Sequence, residues 1–174
     1  MLKRFIIVLS AYLACCQTTA NAEVPLKTVE HVDIERYMGE WYEIASYPQW
    51  FSRDCYNTTA KYTLRDDGRV DVLNECHKGS PTGDVTSAKG VARVVNKKTN
   101  AELKVSFFWP FSGDYWIIEL GDNYEYAVVS EPRRSTLWIL SRSPDMSRDT
   151  LDALLSRLQN VHKFDLSKLK YTRG

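Results

Sequence analysis

The sequence lacks the short motifs by which many enzymes are recognised. Its three histidines, His31, His77 and His162, lie in separate segments. No His-x-x-x-His spacing, no Gly-x-Ser-x-Gly and no phosphate-binding glycine loop occurs. We therefore expect a protein that is not an enzyme, with no catalytic residue, no metal site and no cofactor.

The chain also lacks an excess of one charge and a run long enough to cross a membrane. It has 23 basic and 22 acidic residues among 174, and without Lys3 and Arg4 the net charge is −1. The bases are scattered, so nothing indicates a nucleic-acid partner. The apolar stretch at residues 5–14 is too short to span a bilayer.

That apolar stretch instead belongs to an export signal. A basic start precedes it, and Ala20-Asn21-Ala22 has the small residues of a cleavage site, which predicts a signal peptide over residues 1–22. Alternatively, a lipoprotein signal ends at Cys15 or Cys16. Residues 23–174 form a single domain in both cases. We expect a periplasmic protein or an outer-membrane lipoprotein in a bacterium, and a secreted protein otherwise.

Once the leader is removed, only two cysteines remain, Cys55 and Cys76. An isolated pair in an oxidising compartment usually forms a disulfide. The Asp67-Gly68 turn lies between them and would fold two strands together, which brings the cysteines close at the far end. Asn57 also begins an Asn-x-Thr pattern, which matters only in a host that glycosylates exported proteins.

Alternating apolar and polar residues predict an all-β fold. A short helical turn over residues 33–38 precedes the strands, and Leu151, Leu154, Leu155 and Leu158 form the apolar stripe of a helix over residues 147–160. Residues 164–171 add an edge strand. Eight short strands favour an antiparallel up-and-down barrel with one C-terminal helix. The strands cover residues 41–47, 55–64, 70–76, 85–95, 101–108, 115–120, 124–130 and 136–141.

Two segments resemble the lipocalin family. One is Tyr37-Met38-Gly39-Glu40-Trp41-Tyr42-Glu43-Ile44-Ala45, and the other is the strand from Leu137 to Arg142 with a helix after it. The sequence over residues 32–171 is most similar to the bacterial lipocalin and apolipoprotein D-like branch of that family. The resemblance implies a calyx-shaped barrel that Trp41 plugs at its closed end, with the turn at Gly39 before it and Arg142 packed across it.

The faces of the strands predict what fills the barrel. The inward set is apolar with several hydroxyls, which suits a ligand with an apolar body and a polar end, although the same residues could fill a closed core. Glu43 points inward as well, paired with Arg142 or another cation. The predicted lining is Ala45, Tyr47, Thr58, Ala60, Tyr62, Val70, Val72, Asn74, Ala92, Leu103, Val105, Phe107, Tyr115, Ile117, Ala127, Val129 and Trp138.

Alternate loops would rim the mouth of the barrel. They carry the aromatic residues Trp50, Phe51, Trp109 and Phe111, with Phe108 beside them, and the cations Arg133 and Arg134. Exposed aromatic side chains next to cations suit a lipid with an anionic head, or shallow docking on a membrane or partner.

The resemblance implies a protein that binds and stores or transports fatty acids and lysophospholipids for membrane maintenance, as a monomer or homodimer. Two alternatives stay open at this point. A free Cys55 thiolate could make the protein a thiol-dependent lipid isomerase. A filled barrel would instead be an interaction module that acts through its mouth.

Overall fold

The structure is a computed structural model that describes residues 24–173. The predicted leader at residues 1–22, including Cys15 and Cys16, lies outside the described residues.

A single helical turn leads into the first strand. The helix α1 (Ile34–Tyr37) begins after Asp33, whose side chain accepts a hydrogen bond from the Arg36 amide. Gly39 has φ +96°, a conformation that side chains rarely adopt, and a Cβ there would lie 3.2 Å from Arg142 Nη1. The turn at Gly39 therefore needs a glycine for two independent reasons.

Eight antiparallel strands close into a barrel because the first strand pairs with both the second and the eighth. Each remaining strand pairs with its neighbours in sequence, so the predicted up-and-down barrel is confirmed. A helix α2 (Arg148–Asn160) and a short strand β9 (Lys170–Tyr171) follow. The barrel strands are β1 (Gly39–Ser46), β2 (Cys55–Leu64), β3 (Val70–Lys78), β4 (Val85–Val94), β5 (Glu102–Phe108), β6 (Phe111–Leu120), β7 (Tyr126–Ser130) and β8 (Leu137–Ser141).

One loop and one strand are shorter than predicted. The expected loop around Trp109 is a hairpin turn, because Phe108 pairs directly with Phe111 and β6 begins there rather than at Tyr115. The expected edge strand at residues 164–171 shrinks to the two residues of β9.

Helix α2 covers one side of the barrel from outside. Ser147 caps it by accepting a hydrogen bond from the Thr150 amide. Leu154 and Leu158 are fully buried in an apolar cluster with Val128 and other outward-facing strand residues. The predicted leucine stripe therefore holds the helix against the barrel wall.

The predicted inward positions of Ala45 and Tyr47 are wrong. The pairing of β1 with β8 shifts register between Glu43 and Ala45, as a β-bulge does when it adds one residue to a strand. Ala45 and Tyr47 consequently lie in the cluster under the helix. Ser46, opposite Trp138, takes the position on the inward face instead.

The C-terminal segment completes the wall where β1 and β2 separate. Their pairing ends at Tyr42 and Thr59, and β2 also has an irregularity just before Thr59. Beyond that point β9 pairs with β1, the Thr172 amide donates to Ile44 O (2.9 Å), and the Asn57 amide donates to Arg173 O (2.8 Å). Residues 170–173 therefore close a seam between two strands that no longer touch.

The predicted disulfide is confirmed. Cys55 and Cys76 are bonded across β2 and β3, with their Cα atoms 5.4 Å apart. The bridge occupies the Cys55 sulfur, so the free thiol that the isomerase alternative requires is not present in this structure.

We expect the double substitution Cys55→Ser and Cys76→Ser to lower the free energy of unfolding. The bond spans 21 positions in sequence, and closing a loop of that length stabilises by about 3 kcal/mol in the chain-entropy model. Urea unfolding followed by far-UV circular dichroism measures the change. The oxidised wild type, unfolded in parallel with and without a reducing agent, is the control. A change below about 0.5 kcal/mol would contradict the expectation.

Candidate ligand cavity

A cavity of about 290 Å³ lies inside the open half of the barrel. Its volume is at the lower end of the range for ligand pockets. Spaces of about 610 and 320 Å³ lie along the seam, and one of about 780 Å³ lies beside α1. The cavity of about 290 Å³ is the candidate ligand site because the inward faces of the strands line it. Ten predicted inward residues line it: Thr58, Ala60, Tyr62, Val72, Asn74, Val105, Phe107, Tyr115, Val129 and Trp138.

Tyr62 and Tyr115 form the floor of this cavity, and Tyr37 contacts both of them from the closed end. The Tyr115 hydroxyl lies 2.8 Å from the Tyr37 hydroxyl and 2.9 Å from that of Tyr62. Burial is the main cause that raises the pKa of Tyr62, to about 12, and it raises those of Tyr37 and Tyr115 as well. All three therefore stay neutral and hold one another in place. Tyr37 comes from α1, outside the predicted lining.

Several predicted lining residues lie below this floor. Val70, Ala92, Leu103 and Ile117 surround a void of only about 20 Å³ in the closed half, and Ala127 is fully buried in the same core cluster. They point inward as expected, but they do not line the larger cavity, because the tyrosines cross the barrel above them.

The closed end is sealed by Trp41 and Arg142. Trp41 is fully buried, and its Nε1 donates to Tyr37 O at 2.9 Å. The Arg142 guanidinium lies 3.8 Å from the centre of the Trp41 ring and donates to the main-chain carbonyls of Arg36, Tyr37, Met38 and Glu40. One arginine therefore satisfies the carbonyls of a whole turn and covers the indole.

Glu43 is held at the seam, within the lining of the cavity. Its Oε1 accepts from Ser46 Oγ (2.9 Å) and from Thr172 Oγ1 (2.8 Å). Arg142, its predicted partner, is engaged at the closed end, and no ion pair found within residues 24–173 includes Glu43. The predicted pairing with Arg142 is therefore wrong. Burial raises the pKa of the Glu43 carboxyl.

We expect Glu43→Gln to raise Tm at neutral pH. The raised pKa means that the folded chain binds this proton more tightly than the unfolded chain, in which the pKa of a glutamate is about 4.3. The free energy of unfolding of the wild type therefore falls as pH rises from that value through the folded pKa. Glutamine does not titrate, so calorimetry should show the advantage of the variant growing with pH. A variant that loses stability with rising pH relative to the wild type would contradict this.

Aromatic side chains crowd the open end. Trp50, Phe108, Trp109 and Phe111 are each more than three-quarters exposed. Phe51 is also exposed and contributes to the cavity lining. These five residues, called the aromatic rim below, surround the opening with apolar surface.

The two arginines predicted for the mouth differ in position. Arg133 is exposed on the turn between β7 and β8. Arg134 is turned outward, where its Nε donates to His162 O (2.6 Å) and its Nη2 to Val24 O (2.5 Å). Its predicted role at the mouth is wrong, because its guanidinium binds main-chain carbonyls just after the helix and in the N-terminal segment.

The barrel has eight up-and-down strands, is plugged at one end and is hollow at the other. These features place it in the class of barrel proteins that enclose a single small cavity. A family model described as "Lipocalin-like domain" matches residues 32–174. The chain therefore belongs to the lipocalin family, whose members are in general binding and transport proteins rather than enzymes.

Individual relatives agree with this assignment. The chain is 37% identical to the outer membrane lipoprotein Blc of Vibrio cholerae, over 97% of this chain and 96% of that protein. It is 31% identical to apolipoprotein D of Macaca fascicularis, over 82% and 77%. The solved structure of insecticyanin from the tobacco hornworm Manduca sexta superposes with a TM-score of 0.67 at 21% identity, covering 86% of this chain and 84% of that one, which shows the shared fold.

Within residues 24–173, no helix has the length and apolarity to cross a membrane. No three side chains of His, Cys, Asp or Glu in this range are grouped so that they could hold a metal ion.

Proposed function

We propose that the barrel binds one single-chain lipid, such as a fatty acid or a lysophospholipid, and stores or transports it in the cell envelope or extracellular space for membrane maintenance. The cavity is the observation that carries this proposal. It has apolar walls, it opens at the aromatic rim, and its volume of about 290 Å³ suits one chain rather than two. A barrel filled by its own side chains, the alternative interaction module, would leave no such space.

Three further observations support the proposed setting. The Vibrio cholerae relative is named an outer membrane lipoprotein and aligns with nearly the whole chain. The leader predicted from the sequence is consistent with export, either by cleavage after Ala22 or through an acylated Cys15 or Cys16. The disulfide is also typical of an exported protein.

Tryptophan fluorescence tests the binding itself. Delipidated protein is titrated with lysophosphatidylcholine and with palmitic acid, below the concentrations at which they form micelles. Trp138 lines the cavity, so its emission should change on saturation, and the response should largely disappear in Trp138→Phe. A flat response to both ligands, with no lipid adduct in native mass spectra, would contradict the proposal.

We further propose that the aromatic rim docks on a lipid bilayer, so that a chain passes between membrane and cavity without crossing water. Replacing Trp109 and Phe111 together by serine removes two exposed aromatic rings from the rim. Burying each ring in lipid would contribute about 1.5–3 kcal/mol, so vesicle binding should fall at least about tenfold. Co-sedimentation with phosphatidylethanolamine–phosphatidylglycerol vesicles measures this.

Val161→Ser is the control for the rim. Val161 is also apolar and solvent-exposed, but it follows α2 on the outside of the barrel and does not line the cavity. It should leave vesicle binding unchanged. Equal vesicle binding by the rim variant and the wild type would contradict the docking proposal and leave lipid binding in the cavity untouched.

A further inference from the structure

We propose that Glu43 is the polar recognition point of the cavity, and that the cavity prefers a single-chain amphiphile ending in a hydrogen-bond donor, above all a primary ammonium, over one ending in a carboxylate. This inference rests on the proposed lipid binding and specifies the ligand class within it. It departs from the expectation, made from Arg133 and Arg134, of a lipid with an anionic head.

The charges of the lining are the first observation. Three carboxylates, from Glu43, Asp114 and Glu131, belong to the lining, and no lysine, arginine or histidine does. Among the lining residues themselves, an anionic head that entered the cavity would therefore meet charged side chains only of its own sign. A cationic head would meet charges of the opposite sign.

Two of these carboxylates are already engaged. Asp114 is paired with Lys104 Nζ at 2.7 Å. Glu131 accepts hydrogen bonds from the backbone amides of Arg133 and Ser135, which fixes the turn between β7 and β8. Glu43 is the carboxylate of the lining that has no such cationic or backbone partner within residues 24–173.

The hydrogen bonds of Glu43 leave one of its oxygens available. Both neighbouring hydroxyls, from Ser46 and Thr172, donate to Oε1. No hydrogen bond within residues 24–173 reaches Oε2. The carboxylate is thus oriented in advance by two donors and keeps an acceptor for a third, as a binding group needs.

Two other side chains of the lining also hold oxygens that lack partners. Asn74 Oδ1 and Thr136 Oγ1 are buried without a hydrogen bond within the described residues. Buried acceptors without partners are uncommon in folded proteins, and a donor on a ligand would satisfy them. Asn74 Oδ1 can only accept, so it favours a donor on the ligand, whereas the Thr136 hydroxyl can accept or donate.

The cations near the mouth do not alter this balance. Arg134 is committed to main-chain carbonyls on the outer surface. Arg133 is exposed on its turn and does not line the cavity. A fatty acid can therefore insert its chain only if its carboxylate stays outside, whereas an amine or alcohol can bury its polar end as well.

Three ligands with the same chain test the proposal: dodecylamine, dodecanol and dodecanoic acid. Each is titrated at pH 7 into the delipidated protein below its micellar concentration, and affinity is measured by calorimetry. A hydrogen bond to a charged partner makes dodecylamine bind at least about tenfold more tightly than dodecanoic acid. Dodecanol should fall between the two.

The variant Glu43→Gln assigns the preference to this residue. It should bring the amine and the acid to within about twofold of each other, because the charge is gone and the shape is kept. Dodecanol should still bind and should lose less affinity than dodecylamine, because it carries no charge, which shows that the cavity is intact. Glu75→Gln, on the outer face of β3, removes the same charge elsewhere and should keep the full preference.

The outcomes separate this inference from the proposed function. If no ligand of the three binds, lipid binding itself is wrong. If all three bind but the wild type does not favour the amine over the acid, only the assignment of the ligand class is overturned. A preference that survives in Glu43→Gln overturns the role of Glu43. Should that variant fail to fold, the wild-type series still decides the ligand class.

Discussion

Replacing Trp41 by alanine is expected to lower the free energy of unfolding by about 3–5 kcal/mol, the usual cost of truncating a fully buried large aromatic side chain. Trp41 is fully buried, its ring centre lies 5.0 Å from that of Tyr37, and the Arg142 guanidinium lies 3.8 Å from the centre of the Trp41 ring. Alanine would leave a void at the closed end and remove the surface on which the guanidinium rests.

Urea unfolding followed by far-UV circular dichroism measures this loss without depending on the removed indole. Trp109→Ala is the matched control, because Trp109 is 91% exposed and its truncation should change stability by less than about 0.5 kcal/mol. Trp41→Phe should fall between the two. Equal losses for Trp41→Ala and Trp109→Ala would show that Trp41 is not the structural plug.

Replacing Ala60 by tryptophan is expected to abolish lipid binding. Ala60 lines the cavity on β2, where an indole would occupy space proposed for the lipid chain. If the indole displaces only about five methylene groups, at about 0.8 kcal/mol each, binding weakens by about 4 kcal/mol, or roughly a thousandfold. Titration with lysophosphatidylcholine, detected by calorimetry, measures the change.

Lys61→Trp provides the control for that substitution. Lys61 is the next residue on the same strand, and its side chain is exposed on the outer face. The same indole there adds apolar surface without entering the barrel, so affinity should stay within about twofold of the wild type. Binding that persists in Ala60→Trp would place the lipid somewhere other than this cavity.

The architecture was predictable because strand alternation and turn residues are local signals. Asp67-Gly68 marked one hairpin, the leucines of α2 marked the helix, and the cysteine pair marked the bridge. The bulge after Glu43 was not predictable in this way. It exchanges the faces of Ala45 and Ser46, and nothing in the local pattern of β1 distinguishes a bulged strand from a regular one.

The extent of the cavity was harder to predict than the faces of the strands. Alternation shows that Val70 and Val72 both point inward, but it does not show that the tyrosine floor lies between the 20 Å³ void and the cavity.

The positions of the two arginines were not predictable either, because Arg133 and Arg134 share a residue type and a turn. The carbonyls of Val24 and His162, which are distant in sequence, hold Arg134 away from the mouth.

The seam also affects the nascent chain during synthesis. The part of β1 after Tyr42 emerges early. Residues 170–173, which cover its free side, come more than a hundred positions later. Until they arrive, the nascent chain carries an open strand edge, which is a template for pairing with other chains. Proteolytic trimming of those residues would recreate that edge in the finished protein. Residues 170–173 therefore protect β1 against self-association, in addition to supplying the Thr172 hydroxyl that binds Glu43.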